Sequence, residues 1–308
     1  GAELVVYRAT DQSLKETGIE IAGAVFPGFP ISFVDDKADA PDVYGALFGI
    51  PFDFDPKEAK VTLFAVDQVG NRSDQQIYFR LGKFNQAKVN SRLSQDFLQR
   101  KVPELFDKYK LIADHIPSVD LASESGLLEA FRFVNEDFRK SLDTELATVL
   151  NAPITPRQGI GAFIKPMGSA TSSNLGEKRT YTFDSKPVSY SVHNGLDLAS
   201  VQHDDVLAAQ SGIVQLAKDF GIYGEAVVID HGLGVKSLYG HLSSIQVQVG
   251  QQVDQGQVIG QTGQTGLAGG DHLHFEIRVR STPVNPIEWW DSKWINDNID
   301  GKLASLKE

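Results

Sequence analysis

Six of the seven histidines lie beyond residue 192, and four of them fall in three short motifs. These are His193-Asn-Gly-Leu-Asp197, Tyr239-Gly-His241-Leu-Ser243 and His272-Leu-His274-Phe-Glu276. Neutral imidazole and carboxylate suit a catalytic zinc, which takes three protein ligands and keeps a fourth position open for water. Three of these side chains could hold a metal, and two more could handle protons beside it. From Leu273 to Val279, apolar Phe275, Ile277 and Val279 alternate with charged Glu276 and Arg278, which predicts a strand. On a strand His272 and His274 share a face about 7 Å apart. That is long for chelation by both rings, and it suits one ligand and one neighbour directed at the water. His193 and Asp197 would form a metal clip on a helix, but Gly195 between them is a poor helix former. In a straight strand they would lie about 13 Å apart. Gly195 therefore predicts a sharp bend that brings both to one metal.

Taken singly, each motif is weak, because an arbitrary histidine is usually an ordinary surface or core residue. Taken in order, they resemble the lysostaphin-type (LytM-like) zinc metalloendopeptidases of bacterial cell walls. The resemblance runs over roughly residues 160–290. It is carried by His193-xxx-Asp197, Gly212-Ile-Val, Val228-Ile-Asp-His231-Gly, Tyr239-Gly-His241-Leu-Ser, Val249-Gly250, Gly256-Gln-Val-Ile-Gly260, Thr265-Gly266 and Asp271-His272-Leu-His274-Phe-Glu276. It implies that His193, Asp197 and His274 bind Zn2+ and that His241 and His272 are the catalytic histidines flanking the activated water. Two imidazoles and one carboxylate leave net positive charge at zinc, which lowers the pKa of its water toward about 7 and polarises a scissile carbonyl. Imidazole titrates near working pH, so His241 and His272 suit proton transfer, although spacing does not choose which is the base. One departure is Leu175-Gly176-Glu177-Lys178-Arg179, where family members carry a Phe-Gly-x-Arg-like segment; Gly176 and Arg179 fit. Tyr181 and Tyr190 lie near the first ligand, and neither takes a role by alignment. His231 sits in a turn and reads as structural, His203 in a polar loop, and His115 in a helical region.

The positioning elements divide the chain into three regions and a tail. Residues 1–83 read as an Ig-like β-sandwich, with short strands at Leu4–Tyr7, Ile19–Ala22, Ile31–Val34, Val43–Phe48, Val61–Val66 and Ile77–Leu81. Residues 84–150 read as a helical middle segment. Leu93, Phe97, Leu98, Val102, Leu105 and Phe106 recur at helical spacing around Pro103, and Ser123 offers a cap for a second amphipathic run. Asn151-Ala-Pro-Ile-Thr-Pro156 reads as a linker, so residues 151–308 are expected to fold and bind zinc alone. Residues 151–290 form the metallopeptidase domain, mainly antiparallel β, with glycine-punctuated hairpins like those of lipoyl-type β-rolls. Residues 291–308 are a C-terminal tail. Trp289, Trp290 and Trp294 are expected to seal the end of the domain rather than stack on sugars.

Composition bounds the function. The 308 residues are 41% hydrophobic, enough for two or three packed domains, and carry net charge −11. That balance argues against nucleic-acid binding. There is no cysteine, hence no disulfide and no thiol nucleophile. No stretch reaches the length of a membrane span; an export signal or membrane anchor would lie only in a removed N-terminal segment. The resemblance implies a periplasmic or cell-envelope zinc endopeptidase acting on peptidoglycan stem peptides or cross-links. The alternatives are a catalytically inactive or autoinhibited relative, acting as an amidase activator, or a wall-binding module. The bond cut is not written in the sequence; the front end favours diaminopimelate-type cross-links over pentaglycine.

Overall fold

A computed structural model describes residues 1–34, 40–52, 54–55, 60–78, 84–111, 119–159 and 161–304. His115 lies outside them. The N-terminal strands are β1 (Ala2–Arg8), β2 (Leu14–Ile21), β3 (Ala24–Pro27), β4 (Phe29–Pro30), β5 (Val43–Gly49), β6 (Val61–Asp67) and β7 (Arg72–Ile77). They form two antiparallel sheets, ordered β1-β5-β4 and β3-β2-β6-β7. Leu4, Phe29, Ala46 and Phe48 of the first share a core with Ile19, Ile21, Phe26 and Val61 of the second. Phe26 meets Phe48 edge-on at 6.3 Å. Ile31–Phe33 is a 3-10 turn rather than the expected strand, because Pro30 leads into it and only Ile31 of its three residues turns inward. The last strand starts at Arg72 and ends at Ile77; residues 79–83, in the expected Ile77–Leu81 strand, lie outside the described residues. The Arg72–Gln75 half is polar and exposed on both faces, so it carries no alternation to read.

The middle segment holds β8 (Lys88–Arg92), α1 (Gln95–Tyr109), α2 (Glu124–Phe133), a π-turn at Val134–Phe138 and α3 (Arg139–Leu150). Ser94 Oγ accepts from Phe97 N and Ser123 Oγ from Gly126 N, each at 3.1 Å, satisfying N–H groups that a helix start leaves unpaired. Pro103 lies inside α1 without ending it.

The C-terminal region contains β9 (Ala170–Ser173), β10 (Lys178–Phe183), β11 (Lys186–Val192), β12 (Leu196–Ala199), β13 (Asp205–Leu207), β14 (Gly212–Asp219), β15 (Glu225–Asp230), β16 (Val235–Leu242), β17 (Ser244–Ile245), β18 (Gln252–Val253), β19 (Val258–Gln261), β20 (Leu273–Val279) and β21 (Thr282–Val284). An eight-stranded sheet runs β18-β14-β15-β16-β20-β12-β9, with β21 on β20. Both faces are covered. Val227, Ile229, Tyr239, Phe275, Ile277 and Val279 pack into the core shared with the N-terminal sheets. Leu216, Ala226, Val228 and Leu238 pack instead against Leu98, Val102, Leu105, Phe131 and Leu146 of the helices.

The middle segment is therefore continuous in packing with the C-terminal region. β8 also joins β10 in parallel, extending the β10–β11 hairpin. The 150/151 divide is not a break in the core. After β21, short helices at Pro286–Trp290, Ser292–Ile295 and Gly301–Ala304 return to the N-terminal sheet. Ile295, Ile299 and Leu303 join its core, and Lys302 Nζ donates to Leu4 O at 3.2 Å. Trp289 lies edge-on to Phe163 at 5.2 Å and Trp290 stacks on Phe275 at 5.9 Å.

Candidate metal centre

Three strands and one turn bring the motif residues together. Asp197 on β12 lies opposite His274 on β20, which lies opposite Gly240 on β16. His193 stands just after β11. The approach of β12 to β20 needs Gly195, where a Cβ would fall 2.4 Å from the Phe275 carbonyl oxygen. Gly195 is not among the positive-φ glycines. The chain bends at Gly195 as expected, and what glycine permits there is close backbone approach rather than a positive φ. His241 has φ +62, a conformation uncommon for any residue but glycine and typical of functional positions.

The hydrogen bonds fix the imidazole tautomers. Nδ1 of His193 lies 2.9 Å from Asn174 O, an acceptor only, so Nδ1 carries the proton and Nε2 a lone pair. Nε2 of His274 donates to Glu276 Oε1 at 2.8 Å, leaving the lone pair on Nδ1. Those two nitrogens lie 3.0 Å apart, and each sits within 3.0 Å of Asp197 Oδ1. Three electron-pair donors at that separation repel one another unless a cation lies among them, either a metal ion or, without one, a proton on His274 Nδ1 shared with Asp197. Two nitrogens and one oxygen, all buried, match the donor set of a zinc site.

The groups behind the ligands are polar and buried. Arg179 Nη2 donates to Asp197 Oδ2 at 2.8 Å, orienting the carboxylate so that Oδ1 faces the histidines. Glu276 is fully buried and its Oε2 accepts from Arg278 Nε at 2.5 Å. Burial opposes the Glu276 charge, but Arg278 and His274 outweigh it and hold the carboxyl at about 2. Burial also opposes a charged His274, yet Asp197 and Glu276 on its two nitrogens raise it to about 9. Such a carboxylate–histidine pair makes the imidazole a stronger ligand. The row His274, Glu276, Arg278 occupies the β20 face turned toward the helical layer, which is why the charged half of the alternation is buried rather than solvated.

His241 and His272 stand beside the ligands, their rings 4.8 Å apart. His241 Nδ1 donates to Thr265 O and His272 Nδ1 to Gly270 O, each at 2.9 Å. Both therefore present an unprotonated Nε2; that of His272 lies 3.6 Å from Asp197 Oδ1. Burial, with His272 and His274 nearby, pushes the His241 pKa well below the usual imidazole range. His231 is apart from the site: it is buried against Phe163, with Nδ1 on Ser211 O at 2.9 Å and Nε2 on Ser237 Oγ at 2.7 Å. His203 is exposed on a loop, with Nδ1 near Ser243 Oγ at 3.1 Å.

All five motif residues line one cavity of about 430 Å³. Its opposite wall comes from the middle segment, including Leu93, Phe97, Phe131 and Arg139. Sequence reasoning missed that wall, since nothing local marks a packing face as also lining a site. It also missed Glu276 as the partner of His274; a charged row on a strand with apolar neighbours was the available signal.

Residues 191–286 match the family model for Peptidase family M23. Over these residues the chain is similar to family M23 peptidases. The chain is 39% identical over 120 residues to the DD-carboxypeptidase/endopeptidase Mpg of Neisseria meningitidis serogroup B, covering 36% of this chain and 28% of that protein. It is 40% identical over 119 residues to the peptidoglycan DD-endopeptidase ShyA of Vibrio cholerae, covering 38% and 26%. The match spans under a third of either relative. The crystal structure of a putative peptidase M23 from Pseudomonas aeruginosa aligns over 94% of this chain and 93% of its own, with TM-score 0.54 and 19% identity. At that identity the likeness is one of fold, and it takes in the regions on both sides of the M23 domain.

Proposed function

We propose that this chain is a zinc-dependent endopeptidase that hydrolyses peptide cross-links of bacterial peptidoglycan in the cell envelope. The convergence of His193 Nε2, His274 Nδ1 and Asp197 Oδ1 within 3.0 Å, beside two histidines with Nε2 free, carries this reading. Zinc held there supplies Lewis-acid activation of water and of the scissile carbonyl. Asn174, Glu276 and Arg179 fix the ligand orientations before substrate arrives. His241 and His272 move protons at Nε2, one accepting from water and one delivering to the leaving amine. Neutral His241 suits the accepting role. The Leu93, Phe97 and Phe131 wall limits access of bulk water from the helical side. The similarity to the Vibrio peptidoglycan DD-endopeptidase ShyA supports peptidoglycan as substrate.

The test is digestion of cross-linked dimeric muropeptides by the zinc-loaded protein, with products separated by mass. Conversion of dimers to monomers is expected. Intact dimers with rapid cleavage of a pentaglycine peptide would replace the substrate; hydrolysis of neither, at full zinc occupancy, would replace the enzyme reading with a binding role.

A further inference from the structure

The charge on the cavity wall is one-sided. Its formally charged side chains other than histidine are Arg92, Arg139, Arg179 and Asp197. Asp197 belongs to the ligand set, and Arg179 is engaged with Asp197 and lies 3.7 Å from Glu177. Arg139 differs. Its Nε donates to Asn135 O at 3.0 Å and its Nη2 to Asn135 Oδ1 at 2.8 Å, both neutral acceptors. Nη1 makes no hydrogen bond and the guanidinium forms no ion pair among the described residues. Asp143, one turn further along α3, feels the Arg139 charge without an ion pair and accepts from Tyr223 Oη at 3.1 Å.

This guanidinium is held in place. Asn135 is 1% exposed, and its Nδ2 donates to Ser189 Oγ at 2.8 Å and to Tyr190 O at 3.2 Å, which leaves Oδ1 to face Arg139. Asn135 lies in the π-turn Val134–Phe138, an interruption that recurs at functional positions in helices. Arg139 also lines a small polar cavity with His193, Tyr223, His274 and Glu276, so it stands directly beside the ligand cluster. The Asp143 carboxylate acts on it through space without forming an ion pair, so the half-buried guanidinium keeps a donor that no carboxylate among the described residues takes up. The chain has 40 acidic residues, yet none is set against it as an ion pair among those described. A planar guanidinium with donors left over is the group that best fits a carboxylate.

We propose that Arg139 binds a substrate carboxylate, so that the site takes peptides with a free carboxylate close to the scissile bond in preference to uncharged glycine bridges. This rests on the peptidase reading and narrows its substrate class. Arg139 then acts with the middle segment as a specificity element added to the M23 domain.

The experiment uses the full zinc-loaded chain and three synthetic peptides of one length around a D-alanyl bond. One has a free C-terminal carboxylate, one the corresponding carboxamide, and one a carboxamide terminus with a glutamate side chain beside the bond. Binding is read by calorimetry and hydrolysis by kcat/KM. The wild-type protein should favour one of the carboxylate peptides by about ten- to hundredfold, the scale of a hydrogen bond to a charged group. Which of the two is favoured locates the carboxylate at the terminus or on a side chain. Arg139→Gln should erase that preference with zinc content retained, and Arg139→Lys should restore part of it. Equal affinity of wild-type protein for all three peptides overturns the proposal, even if Arg139→Gln fails to fold. A preference that survives in a folded Arg139→Gln also overturns it. Binding without hydrolysis of any peptide would count against the peptidase reading while the affinities still decide the role of Arg139.

Discussion

At the residue scale, the chemistry rests on which imidazole nitrogen carries a proton. His193 and His274 use different ring nitrogens toward Asp197 because Asn174 O claims Nδ1 of one and Glu276 claims Nε2 of the other. Replacing His193, Asp197 or His274 by Ala removes one of three ligands, and zinc stoichiometry by metal analysis should fall far below one per chain. His241→Ala and His272→Ala should keep zinc and lose about 10²-fold or more in turnover. Stoichiometric zinc in His274→Ala would end the ligand assignment, and wild-type turnover in either of the other variants would remove that histidine from the mechanism. His231 gives a prediction of a different kind. Burial pushes its pKa down from 6.5 to about 4, with Ser211 and Asp230 opposing. Between those values the unfolded chain takes up a proton that the folded chain refuses. Its contribution to stability is therefore complete above pH 6.5 and is lost as pH falls toward 4, by about 2 kcal/mol at pH 5. Denaturant unfolding of metal-free protein at pH 7 and pH 5 measures this, and His231→Gln should flatten the slope between them. An unchanged slope would place the acid sensitivity elsewhere.

At the element scale, the decisive feature is the layer over the β20 polar face. The stripes of α1 and α2 and the Ser123 cap of α2 were legible from residue types: Leu98, Val102, Leu105 and Phe131 are buried where the helical spacing puts them. Their partner was not, because an amphipathic stripe states that a face is covered but not by what. The partner is the sheet of the M23 region, and the linker-like Asn151–Pro156 joins pieces that share one core. A fragment of residues 151–308 would uncover Leu216, Ile222, Val228 and Leu238 and leave β10 without β8. We expect it to aggregate or lose near-UV circular dichroism and to bind zinc poorly, whereas the full chain should bind stoichiometric zinc. A soluble 151–308 fragment with full zinc occupancy would show that the helical layer is dispensable to the centre.

At the scale of the whole molecule, the C-terminal tail ties the chain back to its first strand. Ile299 is 4% exposed in the core shared with the N-terminal sheets. Ile299→Ala should cost about 2–4 kcal/mol, read as a lower Tm, with zinc content unchanged because no tail residue lines the metal cavity. Loss of zinc in that variant would reveal coupling between the tail and the centre. The sequence by itself determined the donor types, their order, the β-rich ends and the helical middle, because these follow from side-chain chemistry and short-range periodicity. It also supplied the alternation in β20, but not its meaning. Whether the charged half of that strand meets water or a second layer depends on residues more than a hundred positions away. Only the tertiary structure turned Glu276 and Arg278 inward behind His274 and brought Arg139 to the cavity. It also showed that the bend at Gly195 needs glycine for its close contact with Phe275. Each of those outcomes is set by what packs across the sheet, and the free energy of burying a charge is decided by its neighbours in space rather than in sequence.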